Sequence, residues 1–181
     1  FFKINSGLWV IGKLPLKLID EITFSILKGW DWMSSKGAKL YYVEKEGQKI
    51  YLINTHLQAD YEIKFNQIRK KQYEEIHQKL IIPNINQDSP LIFCGDLNIS
   101  AHSHLYQLLE GLQLENGPLS GKLQVSTLGN QQRLLDYILL RSGTFKFKAV
   151  DRKILDFPQS DFNDQITHSD HFPMQAIFLW H

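Results

Sequence analysis

The stretch Ile50-Tyr-Leu-Ile-Asn-Thr-His-Leu-Gln-Ala59 starts as an apolar run and ends in polar side chains. Its first five residues are typical of a β-strand, and a second β-prone run covers residues 38–44. Glu46-Gly47 lies between the two runs, which predicts an antiparallel hairpin. The second strand of this hairpin therefore delivers Thr55, His56 and Gln58 at its end.

Three further segments share this design, in which a short apolar strand ends in polar residues. They are Gly95-Asp96-Leu97-Asn98 after the run 91–94, Leu135-Asp136-Tyr137-Ile138, and Ser169-Asp170-His171-Phe172-Pro173. Each segment alone is a weak signal, because an Asp after a strand is common. Together they place carboxylates, an amide and a second histidine at strand ends, where functional loops are concentrated.

The remaining pattern predicts the order of the other elements. Residues 8–11 form an apolar run ended by Gly12 and Pro15, which predicts a buried strand. Helices are predicted over 61–80, before Pro83, and over 105–112. Further strands are predicted over 134–140, 145–149 and 174–180. This order favours an α/β sandwich with its site at the strand ends.

Composition excludes some classes of protein. The chain has 181 residues, enough for one domain or most of one, and a formal net charge of +1. That balance does not favour a nucleic-acid-binding protein, which usually carries an excess of Lys and Arg. No stretch is apolar over the length of a bilayer span. The one cysteine, Cys94, is interpreted as a small core residue.

The polar residues of the four segments suit phosphodiester hydrolysis. Carboxylate and amide oxygens are ligands for Mg²⁺. Two histidines can exchange protons near neutral pH. A further carboxylate can orient one imidazole and stabilise its charged form.

The order T-H-L-Q-A, G-D-L-N, L-D-Y-I and S-D-H-F-P resembles the signature of the endonuclease/exonuclease/phosphatase superfamily, the DNase I-like phosphoesterases. Two finer features are similar to the neutral sphingomyelinases within it. Asp31 is followed by Lys36-Gly37, and Arg69-x-x-Gln72 occurs on the predicted helix.

The resemblance implies a four-layer α-β-β-α sandwich of the DNase I-like type. Residues 1–181 are then expected to be roughly the carboxy-terminal two-thirds of a single domain. The amino-terminal part, with the principal metal-binding Glu, is expected upstream of Phe1 or on another chain that completes the domain.

The resemblance also implies roles for individual residues. His171 is the expected general base, Asp136 the carboxylate that supports it, and His56 the second catalytic histidine. Asp31 and Lys36 are expected near the mouth of the site, with Asn98, as substrate-binding residues. The expected catalytic set is His56, Asp96, Asn98, Asp136, Asp170 and His171, and the expected metal ligands are Asp96, Asn98, Asp170 and His171.

The implied activity is hydrolysis of sphingomyelin to ceramide and phosphocholine at a membrane surface, with Mg²⁺ or Mn²⁺ as cofactor. A secreted or membrane-peripheral location is favoured. Three alternatives stay open: a nuclease, a phosphoinositide phosphatase on the same fold, or a non-catalytic binding remnant.

Two sets of apolar residues have two interpretations each. Ile154, Leu155, Phe157 and Phe162 precede the last motif and either anchor the protein to lipid or fill a small satellite core. Trp30 and Trp32 belong either to the core or to a membrane-contacting surface.

Overall fold

The computed structural model describes residues 7–59, 65–99, 102–128, 132–144, 147–156 and 169–180. For residues 102–106, 147–150 and 180 only the backbone is described. None of the helices within these ranges is long and apolar enough to cross a membrane.

A five-stranded sheet forms the centre of the protein, in the order β1-β2-β3-β4-β5. Neighbouring strands are antiparallel except β3 and β4, which are parallel. The strands are β1 (Leu16–Thr23), β2 (Gly37–Lys45), β3 (Gln48–His56), β4 (Leu91–Asp96) and β5 (Asp136–Arg141).

The predicted hairpin is present as β2 and β3. Leu40 pairs with Ile53 and Lys45 with Gln48, so two residues form the turn. These are Glu46 and Gly47, with φ of 53° and 75°. Two successive positive φ angles are what a tight hairpin turn with the native strand twist requires.

Helices cover one face of the sheet. They are α1 (Asn66–Ile76), a π-helix (His77–Ile81), α2 (Ile82–Asn84) and α3 (His102–Leu112). Ile76, Leu80 and Leu112 join one core cluster with Ile53 and Phe93 of the sheet. These five side chains are 2% exposed or less, so this face carries the main hydrophobic core.

A second sheet lies on the other face. It consists of β6 (Phe147–Ile154) and β7 (Met174–Trp180), which are antiparallel. Phe178 packs against Ile50 and Leu140 of the five-stranded sheet. The layers are therefore helix, sheet and sheet, which agrees with three consecutive layers of the predicted sandwich.

The prediction of a strand over residues 8–11 is wrong. These residues have no strand conformation, and Trp9 and Ile11 are 78% and 93% exposed. The first strand of the structure, β1, begins at Leu16 and pairs with β2. Among the described residues, the apolar run 8–11 pairs with no strand, whereas β1 pairs with the edge of β2.

The predicted helix over residues 61–80 is only partly described, because residues 60–64 lie outside the described ranges. Its predicted end before Pro83 is wrong. The chain continues through the π-helix into α2, and Pro83 lies in the first turn of α2. Proline is tolerated there because the first turn of a helix does not use its N–H groups.

Candidate active site

Three of the predicted site residues lie side by side across the sheet. His56 of β3 is the register partner of Asp96 of β4, and Asp96 is the partner of Asp136 of β5. Side chains at paired positions point to the same face. The ends of three consecutive strands thus bring residues from three of the four motifs together.

Gly95 permits this close approach of β3 and β4. It has a φ of +136°, which side chains rarely allow. A Cβ on Gly95 would lie 1.8 Å from the carbonyl oxygen of Thr55. Only glycine fits there, so the Gly-Asp sequence sets the position of Asp96 beside His56.

His171 and Asp136 form a pair at this end of the sheet. Nδ1 of His171 lies 2.6 Å from Oδ2 of Asp136, and both side chains are about three-quarters buried, at 25% and 23% exposed. The hydrogen bond to the Asp136 carboxylate raises the pKa of the His171 imidazole to about 9, although burial acts in the opposite direction. The pair leaves Nε2 as the ring nitrogen that can exchange a proton.

A pH titration can test this pair directly. In protein without divalent metal, the His171 imidazole is expected to titrate with a pKa of about 9. Asp136→Asn removes the charge that stabilises the imidazolium, so the pKa should fall towards 6.5. Two-dimensional NMR of the ring protons measures both values, and the His77 signals serve as an internal control. A His171 pKa near 6.5 in the unmodified protein contradicts the pairing.

The turn of Ser126 and Thr127 holds the His171 segment in place, although no sequence motif marks these two residues. The Ser126 carbonyl accepts the N–H of Phe172 at 2.7 Å, and Thr127 forms a bridge with His171. Oγ of Ser126 also accepts the N–H of Asp136 at 3.1 Å. One buried serine therefore fixes both partners of the His171–Asp136 pair, and only the fold brings it to them.

His56, Asp96 and Asn98 form a second cluster. Nε2 of His56 lies 3.3 Å from Oδ2 of Asp96, and the Asn98 N–H donates to Oδ1 of Asp96 at 2.9 Å. Burial raises the pKa of Asp96, but the hydrogen bonds from His56 and Asn98 outweigh it and the pKa lies below its usual range. Asp96 is therefore a carboxylate at neutral pH. Asp170, by contrast, is exposed, and its charge contributes to the raised pKa of His171.

Asp31 and Lys36 lie behind the second cluster. Lys36 Nζ donates to Oδ2 of Asp31 at 2.9 Å and to the carbonyl of Leu57 at 3.0 Å. Nδ2 of Asn98 donates to the same carbonyl at 3.1 Å. The Ala59 N–H donates to Oδ2 of Asp31 at 2.6 Å. Three side chains, those of Asp31, Lys36 and Asn98, thus hold the backbone immediately after His56.

Asp31 and Lys36 are both buried, and the expected location of their segment near the mouth of the site stays a prediction. Asp31 is only 7% exposed and Lys36 only 5%. A buried ion pair is stable when each charge has its partner and further hydrogen bonds, as here. Their geometry supports positioning of residues 57–59, and substrate binding by them stays a prediction.

Gln58, Arg69 and Gln72 join the same segment to α1. The Gln58 N–H donates to Oε1 of Gln72 at 2.8 Å, and Nη1 of Arg69 donates to the Gln58 carbonyl at 3.2 Å. Gln58 and Gln72 are fully buried. The R-x-x-Q pattern therefore has a structural role, in which the helix fixes the chain after His56.

The donor atoms of the site are mostly oxygens, which are the ligands that a hard cation prefers. Asp96 offers carboxylate oxygens, Asn98 an amide oxygen and Asp170 an exposed carboxylate, and oxygen ligands are those that Mg²⁺ prefers. Within the described ranges, however, no three His, Cys, Asp or Glu side chains converge closely enough to hold a metal ion. Any metal held here thus needs a ligand beyond the described residues, or water and substrate oxygens.

The fold and site define a protein of the DNase I-like class, in which a two-sheet sandwich presents paired His and Asp residues at one end of the sheet. The model of Endonuclease/Exonuclease/phosphatase family 2 matches residues 10–136, more than half of the chain. The chain belongs to this family. The predicted superfamily membership is thereby confirmed.

A sphingomyelinase is among the sequence relatives of the chain, and solved structures share its fold. Sphingomyelinase C 2 of Leptospira interrogans is 29% identical over 107 residues, which is 57% of this chain and 17% of that protein. The crystal structure of beta toxin 275-280 from Staphylococcus aureus superposes with a TM-score of 0.72 at 23% identity, over 91% of this chain and 65% of that chain. A beta toxin F277A, P278A mutant with bound magnesium ions has a TM-score of 0.71 at 22% identity, over the same shares. The chain spans less than two-thirds of each, and the structural likeness shows the fold.

Proposed function

We propose that the protein is a phosphodiesterase that hydrolyses sphingomyelin to ceramide and phosphocholine, with His171 as the general base. The observation that carries this proposal is the 2.6 Å contact between His171 and Asp136, at the same sheet end as the His56–Asp96 cluster. The sphingomyelinase relatives support the choice of substrate. A non-catalytic remnant would have no need for two such histidine–carboxylate pairs at one end of the sheet.

The geometry assigns a proton task to each histidine. Asp136 holds Nδ1 of His171, so Nε2 is free to accept a proton from the attacking water. As this proton leaves, the water oxygen forms its bond to phosphorus. The bond from phosphorus to the ceramide oxygen breaks, and this oxygen takes up a proton. In the sheet, Asp96 lies between His56 on one neighbouring strand and Asp136 on the other. His56 is therefore the proposed donor of this proton.

A divalent cation, Mg²⁺ or Mn²⁺, is the proposed cofactor. Asp96, with Asn98 and Asp170, would hold it, and its remaining protein ligand would come from outside the described residues. When bound, the ion supplies positive charge that stabilises the phosphate oxygens and disfavours the imidazolium of His171. The raised pKa of free His171 makes the second effect necessary, because a base must be neutral to accept a proton.

A comparison of substrates tests the proposal against its alternatives. The full-length protein is assayed with Mg²⁺ on sphingomyelin vesicles, duplex DNA and a phosphoinositide, and His171→Ala protein gives the background for each. We expect hydrolysis above background on sphingomyelin and none on DNA, because the net charge of +1 offers little affinity for a phosphate backbone.

Two outcomes of this comparison contradict the proposal. A higher kcat/KM on DNA or on the phosphoinositide reassigns the substrate. Rates equal to background on all three substrates, in folded protein with bound Mg²⁺, favour a binding protein.

A further inference from the structure

Two exposed tryptophans lie on one short turn. Trp30 and Trp32 belong to the 3₁₀-helix Gly29–Met33 and are 74% and 51% exposed. The structure therefore excludes the core interpretation of these residues. Asp31, between them, is the buried partner of Lys36, so the turn buries its acidic side chain and exposes both indoles.

Hydrogen bonds fix this tryptophan turn, Gly29–Met33, beside the candidate active site. The Lys28 N–H donates to Oε1 of Gln58 at 2.8 Å, and Nε2 of Gln58 donates to the Lys28 carbonyl at 2.9 Å. The Ala59 N–H donates to Asp31 at 2.6 Å. The turn is thus bonded to the two residues that lie two and three positions after His56. Its indoles are held at the rim of the catalytic sheet end rather than on a free loop.

We infer that the tryptophan turn is a docking surface for a phospholipid bilayer. This inference rests on the proposed function, which places the scissile phosphate at a bilayer surface. Indole side chains combine a large apolar body with one N–H donor, and they favour the boundary between headgroups and acyl chains. Exposed Lys28 directly precedes the turn, and its positive charge is complementary to lipid phosphate.

The size of the surface argues against a protein partner. A stable protein interface buries about 800 Å² on each partner. Two indoles on a five-residue turn offer much less than this. A bilayer needs no such area or shape complementarity, because single aromatic side chains insert between lipids.

Vesicle binding without catalysis tests the inference. Full-length protein is mixed, in EDTA, with vesicles of equimolar sphingomyelin and phosphatidylcholine, and the bound fraction is measured by flotation. The double variant Trp30→Ala/Trp32→Ala is expected to bind about tenfold or more weakly, from the apolar area lost. The double variant Trp30→Phe/Trp32→Phe should keep most of the binding, because it keeps an aromatic body at both positions.

Ile82→Ala provides the matched control. Ile82 is also an exposed apolar residue, at 57%, but α2 precedes the start of β4 and so lies at the opposite end of the sheet from His56 and Asp96. Its removal should leave vesicle binding unchanged. An equal loss of vesicle binding in Ile82→Ala and in the Trp30→Ala/Trp32→Ala variant indicates nonspecific adsorption of exposed apolar side chains and overturns the inference.

A soluble substrate separates this inference from the proposed function. On a water-soluble choline phosphodiester, the Trp30→Ala/Trp32→Ala variant should keep the unmodified rate, while its rate on vesicles falls with its binding. If the unmodified protein hydrolyses neither substrate, the proposed function fails, and the EDTA binding data still decide the role of the turn.

Vesicle binding by the variant equal to that of the unmodified protein overturns the inference. So does a dimer, seen by sedimentation, that forms without lipid and is lost in the variant, because it assigns the surface to a second copy.

Discussion

Replacement of His171 by alanine is expected to reduce hydrolysis of sphingomyelin by about 10²–10⁴-fold or more, which is the usual effect of losing a general base that works as part of a unit. The reason is the pair with Asp136. Its 2.6 Å contact holds the ring in one orientation and stabilises the positive charge that the ring gains when it takes a proton from water. Without the His171 ring, no other histidine of the site is paired with Asp136 to accept the proton from water, because His56 pairs with Asp96.

The control for this variant is His77→Ala. His77 begins the π-helix, which leads to the opposite end of the sheet, so the same substitution there should leave the rate within a factor of about two. Steady-state kinetics measure kcat and KM for both variants, and thermal unfolding verifies that both are folded. If His171→Ala keeps more than half of the unmodified rate, His171 is not the base.

The motif order and the strand pattern were sufficient to predict the centre of the fold. Residues 38–44 and 50–54 alternate or run apolar as paired strands do, and Glu46-Gly47 can adopt the positive φ angles of a tight turn. β3 and β4 end in a motif, and the antiparallel β5 begins in one. Their pairing therefore places His56 beside Asp96 and Asp96 beside Asp136. These features depend on local sequence and period, which a single chain displays.

Features that depend on distant partners could not be predicted. Residues 8–11 are as apolar as a strand, but strand formation also requires a free ladder partner, and the edge of β2 is taken by β1. Ile154, considered as part of a lipid-anchoring loop, is the last residue of β6 and is 5% exposed, so it belongs to the interior. Leu155 is half-buried, and Phe157 and Phe162 lie outside the described residues.

The supporting residues of the site show the same limit. Ser126 has no motif around it, yet its hydroxyl and carbonyl fix both Asp136 and the segment after His171. Asp31 and Lys36 were expected to bind substrate because of the family resemblance, and charged residues are usually exposed. Their mutual ion pair and their bonds to residues 57 and 59 make burial favourable, and no sequence pattern reveals those partners.

Removal of divalent metal is expected to abolish hydrolysis. The site offers oxygen donors and two histidines already committed to carboxylates. The half-buried thiol of Cys94 does not compete as a thiolate ligand, because burial raises its pKa to about 12. Such a set suits Mg²⁺ or Mn²⁺ and gives weak, readily reversible binding. Excess EDTA should therefore reduce the rate to that of the His171→Ala protein, and added Mg²⁺ or Mn²⁺ should restore it. Full activity in excess chelator contradicts the metal-dependent mechanism.

Asp96→Asn tests the proposal that the metal binds at the second cluster. Asp96 is ionised at neutral pH, and its carboxylate is the one placed between the two histidines. The amide keeps the size and can still hydrogen-bond His56, but it removes the charge that attracts a cation. The Mg²⁺ concentration for half-maximal rate should rise by about tenfold or more, the loss typical of one charged contact at about 1.4 kcal/mol. Asp88→Asn, an exposed aspartate near the start of β4, should leave that concentration unchanged. Equal Mg²⁺ dependence in Asp96→Asn and in the unmodified protein places the metal elsewhere.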